Sequence, residues 1–234
     1  MKILVTILTF TFILFPVITV HAEAVDASVV FCNDVSGSIN SEEFTIIREG
    51  HAQTITSDRI LASIKNGYHQ KIAVIYVEWS GRNEQKVLIP WTVIGSRESA
   101  EIFAEKIRTE PRTFNEGDTH IQEALTFCFN QLQKIPYSAE RWIIDFVGDG
   151  TENGKPASFV NNKIAADYGV QINALAIGTT DQENQYAGEP LERIRKYYEV
   201  RVKAGIGAFV STANNFSDFA RVFERKFRME IARN

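Results

Sequence analysis

The chain has 234 residues, 44% of them hydrophobic and 23% charged, which suits a globular fold with a sizeable core. Its 25 Lys and Arg are outnumbered by 29 Asp and Glu, and no basic run concentrates positive charge. That balance supplies no electrostatic footprint for nucleic acid, so nucleic-acid binding is set aside.

Lys2 is followed by an uncharged apolar run from Ile3 to Val20 and then by the small residues Ala22 and Ala24. This is the layout of a secretory leader, residues 1–22, with the mature chain starting near Glu23 in the periplasm or outside the cell. The alternative is a retained membrane anchor, because the run exceeds the minimum of about 17 residues that spans a bilayer. Once the leader is removed, no membrane span is expected. The remaining domain, residues 26–232, is mildly acidic.

Along that domain, strand-like and helix-like segments alternate. "ASVVFCN" is a continuous apolar run, and "SEEFTIIREGHAQTITS" has acids in its first turn and helical spacing of Phe44, Ile47 and Ile55. "KIAVIYVEWS" and "QKVLIPWTVI", joined by "GRNE", read as a hairpin whose edge Trp79 and Trp91 pack. Helices are predicted at "SRESAEIFAEKIRT", "THIQEALTFCFNQLQKI", "PASFVNNKIAADYG", "PLERIRKYYEVRV" and "NFSDFARVFERKFRMEIA". Strands are predicted at "RWIIDFVGDG", "VQINALAIG" and "GAFVSTA". Apolar strands separated by helices describe an α/β fold: a three-layer, doubly wound, mostly parallel sheet with one antiparallel edge hairpin.

In such sheets ligands gather beyond the carboxyl ends of the strands. Three polar loops fall there. "DVSGS" brings Asp34, Ser36 and Ser38 at the end of the first long strand, "EGDTH" brings Asp118 and Thr119 ahead of a helix, and "VGDG" brings Asp149 after a buried strand. An all-oxygen donor set with little thiol or imidazole suits a hard divalent cation. Taken singly, each loop has a plainer reading: Asp34 to Ser38 as a helix N-cap, Thr119 as a cap, Asp149 as turn chemistry.

Other polar residues carry less chemistry. Asp145, inside "WIIDFV", is read as a buried acid with an unidentified partner rather than a catalyst. His51, His69 and His120 lack metal-ligand spacing and are read as surface or structural residues, although His120 adjoins the polar loops. Cys32 and Cys128, both in apolar segments, are read as buried thiols, with a disulfide as the alternative.

In order and helical context the three loops resemble the metal-ion-dependent adhesion site of a von Willebrand factor A (VWA) domain, whose pattern is Asp-x-Ser-x-Ser, a loop Thr and a later Asp. The stretches "DVSGSINSEEF", "VEWSG", "VLIPWT" and "VGDG" are further similar to an exported bacterial VWA family of unassigned function. The resemblance implies a Rossmann-like fold and a cation held by Asp34, Ser36, Ser38, Thr119 and Asp149. In that pattern the hydroxyls contact the metal directly and the aspartates act mainly through water. The implied cation is Mg²⁺, with Ca²⁺ or Mn²⁺ also admitted, and a carboxylate from a protein partner completes its shell. Where such domains often carry Thr-Asp-Gly, this chain has Gly148-Asp149-Gly150, and Asp118 is an extra acid in reach of a surrounding shell.

The function this implies is a divalent-cation-dependent protein-binding module rather than an enzyme. The alternative is a metal-assisted hydrolase or phosphotransfer enzyme using the same Asp, Ser and Thr residues. It is disfavoured because "DVSGS" has no second acid two residues on, and because "GDGTENGK" lacks the spacing of a phosphate-binding loop.

Overall fold

The computed structural model describes residues 22–155, 158–178 and 189–232. The segment read as a leader lies almost wholly outside them. Among the described residues no helix is long and apolar enough to cross a membrane.

In chain order the elements are β1 (Ala24–Val25), β2 (Ala27–Asp34), α1 (Ser41–Thr56), α2 (Asp58–Lys65), β3 (Ile72–Trp79), β4 (Gln85–Ile94), α3 (Arg97–Thr109), α4 (Ile121–Leu132), β5 (Ser138–Ala139), β6 (Trp142–Gly148), α5 (Asn161–Tyr168), β7 (Gln171–Ile177), α6 (Leu191–Arg201), β8 (Val210–Ala213) and α7 (Phe219–Ile231). Six strands form one sheet in the order β4-β3-β2-β6-β7-β8, and β1 pairs with β5 apart from it. Only the β3 and β4 pairing in the large sheet is antiparallel, as the hairpin reading expects.

Strand periodicity divides the core. Val29 and Phe31 of β2 face one layer, built with Ile47, Ile60, Phe103 and Phe223 from α1, α2, α3 and α7. Val30 and Cys32 face the other, with Leu125, Cys128 and Ile194 from α4 and α6. The sheet is therefore sandwiched between two helical layers, the three-layer architecture expected from the sequence. At β2 the chain leaves towards β3 on one side and receives β6 on the other, so the carboxyl ends of β2 and β6 flank a topological switch point, the place where open α/β sheets bind ligands.

His51 belongs to the first layer, its ring against Phe31, Tyr76, Phe219 and Phe223. Burial holds its pKa down at about 3, so it is a neutral core ring. Trp79 stacks on Phe146 in the interior, while Trp91, half-buried, donates its indole N–H to the Gln131 carbonyl. The partner required by Asp145 is Lys226 of α7, whose ammonium also meets Glu230 at 2.5 Å, and all three side chains are fully buried.

Candidate functional site

Asp34 is the last residue of β2, and its Oδ1 accepts the backbone N–H of Ser36 at 2.8 Å, which turns the chain sharply at the strand end. Ser36 Oγ then lies 3.3 Å from Ser38 Oγ. Ser38 Oγ donates to Asp149 Oδ1 at 2.8 Å, and Thr119 Oγ1 reaches Ser36 Oγ at 3.4 Å. The structure thus gathers Asp34, Ser36, Ser38, Thr119 and Asp149, from three separate loops, into one oxygen cluster beyond the ends of β2 and β6.

The helix caps are made by other residues. α1 is capped by Asn40, whose Oδ1 accepts the N–H groups of Glu42 and Glu43 while Glu43 returns a bond to the Asn40 N–H. His120, not Thr119, stands at the N-cap of α4, and it makes no side-chain cap bond. The hydroxyls at 36, 38 and 119 are consequently free to face one another.

The electrostatics of the cluster are unusual. Asp34 and Asp149 are fully buried, and Oδ2 of each has no hydrogen-bond partner among the described residues. Burial pushes the Asp34 carboxyl well above its ordinary range, and the neighbouring Asp149 charge adds to the shift. Burial likewise pushes Asp149 up to about 6, against the lowering bond from Ser38. Two desolvated carboxylates facing the same space are costly unless a positive charge offsets them. Ser38, by contrast, is exposed, so the cluster is closed behind and open in front. Among the described residues no three His, Cys, Asp or Glu side chains converge as a metal site. The cluster joins two carboxylates to three hydroxyls, a donor set suited to a hard cation rather than a soft one.

Asp118 stands apart. Its side chain is 75% exposed and lies 4.0 Å from His120 Nε2, and its backbone carbonyl accepts the Ser80 hydroxyl. His120 is flanked by Glu123 and Glu152 as well. Thr119 is held by a reciprocal pair of bonds with Asn153, from its N–H to Asn153 Oδ1 and from the Asn153 N–H to its carbonyl.

Sequence reasoning missed the residues that brace the first loop. Arg112 Nη2 donates to the carbonyls of Val35, Ser36 and Ile39. Its own segment is anchored by Glu78 of β3, which accepts the Thr113 N–H at 2.9 Å and pairs with the buried Arg48 of α1. The available signal was Glu78 itself, an acid within the apolar run "IAVIYVEW". Nothing local marks Arg112.

The glycine before Asp149 also has a structural cause. A Cβ at Gly148 would lie 2.5 Å from Tyr198 Oη and 3.1 Å from Asp34 Oδ2. Tyr198 Oη donates to the Gly150 carbonyl at 3.0 Å, so its hydroxyl fills the space a larger residue would need. Gly148→Ala is expected to cost about 1–3 kcal/mol of stability through overpacking. The cost should shrink in a Tyr198→Phe background, as urea unfolding of a double-mutant cycle would show. Equal costs in both backgrounds would place the collision elsewhere.

The fold has many solved counterparts at low identity. The pilus adhesin SpaC of Lactobacillus rhamnosus GG, in its open conformation, matches at 15% identity and TM-score 0.61, over 90% of this chain and 31% of that one. The von Willebrand factor domain of the type V pili tip protein Mfa5 from Porphyromonas gingivalis matches at 11% identity and TM-score 0.54, over 92% and 98%. Proximal thread matrix protein 1 from the mussel byssus, solved with a zinc-occupied MIDAS motif, matches at 19% identity and TM-score 0.54, over 90% and 48%. The chain thus spans about a third of the adhesin and half of the byssus protein. No curated protein matches the sequence. These likenesses establish a VWA fold. The family model described as "Protein of unknown function (DUF1194)" matches residues 24–234, and the chain belongs to that family.

Proposed function

We propose that this chain is an exported, divalent-cation-dependent protein-binding module, with Asp34, Ser36, Ser38, Thr119 and Asp149 as the cation site. The observation that carries the reading is the pair of buried carboxylate oxygens, Asp34 Oδ2 and Asp149 Oδ2, which have no partner among the described residues and lie beside three mutually facing hydroxyls. Mg²⁺ fits that hard oxygen set best, with Ca²⁺ and Mn²⁺ also compatible. A bound cation would offset both carboxylates and present an acceptor for a partner's carboxylate on the open side, where Ser38 is exposed. Asp118, largely exposed beside the site, would tune its field without being a ligand.

Arg112 keeps the first loop in shape by gathering its carbonyls, and the Thr119 to Asn153 bonds hold the second. Binding is favoured over catalysis because the cluster hydroxyls bond to one another and to Asp149, and the adjacent His120 is turned among acids rather than towards a nucleophile. Adhesin and pilus-tip proteins among the structural counterparts agree with an interaction role. The apolar run ahead of Ala22 supports export.

The test is calorimetric titration of EDTA-stripped protein with Mg²⁺ and Mn²⁺. Wild type is expected to bind one ion, and Ser36→Ala or Ser38→Ala to weaken it by about 10–100-fold, the range found when groups supporting a metal site are removed. A dicarboxylate probe such as glutarate should then raise the melting temperature only when the cation is present. Absence of any divalent binding by wild type sinks the proposal. Turnover of phosphate or ester substrates that depends on Ser36 would favour the enzymatic alternative.

A further inference from the structure

Cys32 lies on β2 two residues before Asp34, and Cys128 lies on α4, the helix that begins two residues after Thr119. Both are free thiols and both are fully buried. Although 96 residues apart in sequence, their sulfurs are 2.6 Å apart in the core between β2 and α4. A thiol pair has only a weak S–H bond to offer, so packing preference alone gives little reason for so close an approach. A covalent bond would bring the sulfurs to about 2.05 Å. The two cysteines arrive from different elements, β2 and α4, and belong to the same buried cluster as Leu125, Ile144 and Phe146.

We propose that Cys32 and Cys128 form a disulfide tying the central strand to α4 directly behind the oxygen cluster. The oxidant is a small-molecule or protein disulfide. One cysteine thiolate attacks it, forming a mixed disulfide and releasing one thiol. The second thiolate then attacks the chain's sulfur, closing Cys32–Cys128 and expelling the other thiol. The chain gives up two electrons and two protons, and the donor leaves fully reduced. Since both sulfurs are buried in the folded chain, exchange occurs before α4 closes over β2 or during its opening. The bond fixes the loop carrying Asp34 and Ser36 relative to the helix that follows Thr119. The export reading supplies a compartment containing such an oxidant, but the pairing is tested apart from it.

The full chain is refolded in a mixture of reduced and oxidised glutathione. It is then denatured without reductant, alkylated with iodoacetamide, and mapped by mass spectrometry. The expected result is a linked Cys32–Cys128 peptide pair, a chain two hydrogens lighter and no alkylated cysteine. Closing so long a loop should raise the melting temperature by about 5–15 °C over the reduced form. A Cys32→Ala/Cys128→Ala chain should not respond to reductant. Two alkylated cysteines, or a glutathione adduct without the linked peptide, overturn the proposal. So does a double variant whose melting temperature drops with reductant as far as that of wild type.

Discussion

Lys226→Ala is expected to remove about 3–5 kcal/mol of folding stability, the range seen when one member of a buried ion pair is deleted. Its ammonium meets Asp145 of β6 and Glu230 one turn along α7, and none of the three side chains has exposed area. Burial, with the Asp145 charge beside it, pushes the Glu230 carboxyl well above its ordinary range, so the charged form of Glu230 is the less favoured one. Lys226 is thus the one cation shared by two buried acids. Deleting the ammonium leaves two buried acids without their shared cation, whereas Glu230→Gln keeps a side-chain oxygen that can still accept from Lys226. The second change should cost only about 1 kcal/mol. Urea unfolding at pH 7 separates the two. Equal losses would mean that the Lys226 contact with Glu230 matters as much as the one with Asp145.

The same triad shows what a sequence can and cannot reveal. Asp145 announces itself as a charge within an apolar strand, but its partner lies 81 residues away on another element. Arg112 and the Val35 carbonyl it holds are separated by 77 residues, and Tyr198 and Gly150 by 48. Periodicity and capping are local, and they located the strands of the large sheet. Local signals failed where elements are short or shared. α2 is two turns long, and Ser57 both ends α1 and caps α2 by accepting the Ile60 N–H, so the helix read from the sequence stops at Ser57 and α2 goes unassigned. β1 and β5 have two residues each, too few for any alternation. The helix expected from Pro156 begins only at Asn161, and the Val160 N–H is taken by Gln122 of α4, a tertiary contact. Pro156 itself lies outside the described residues.

The cluster residues were legible for a different reason. Each sits at the end of a strand or ahead of a helix, where an α/β sheet exposes its loops, and oxygen-bearing residues recur at all three places. What the sequence did not carry was their burial. Asp34 and Asp149 look like loop polar groups, yet both are fully buried, Asp34 with Gly148 and Tyr198 packed close to its carboxylate.

That burial predicts an inversion of stability with metal. In EDTA, Asp34→Asn is expected to be more stable than wild type, because it removes a carboxylate whose pKa burial has raised, while Asn Oδ1 can still accept the Ser36 N–H. With Mg²⁺ in excess the order should reverse. Wild type then gains about 2.7 kcal/mol when the ion is present at about 100 times its Kd, and the variant gains little. The pH dependence follows from Asp149, raised from 3.8 to about 6. Between those values the folded chain holds a proton that the unfolded chain has released, so metal-free stability falls as pH rises through the window. Two units correspond to about 3 kcal/mol, or roughly 6–12 °C of melting temperature for a chain of this size. Cation binding competes with that proton, so affinity should instead strengthen as pH rises past 6. Melting curves of wild type, Asp34→Asn and Asp149→Asn at several pH values, in EDTA and in Mg²⁺, contain the whole test. If the variants are destabilised equally under both conditions, the two carboxylates serve the fold rather than a cation.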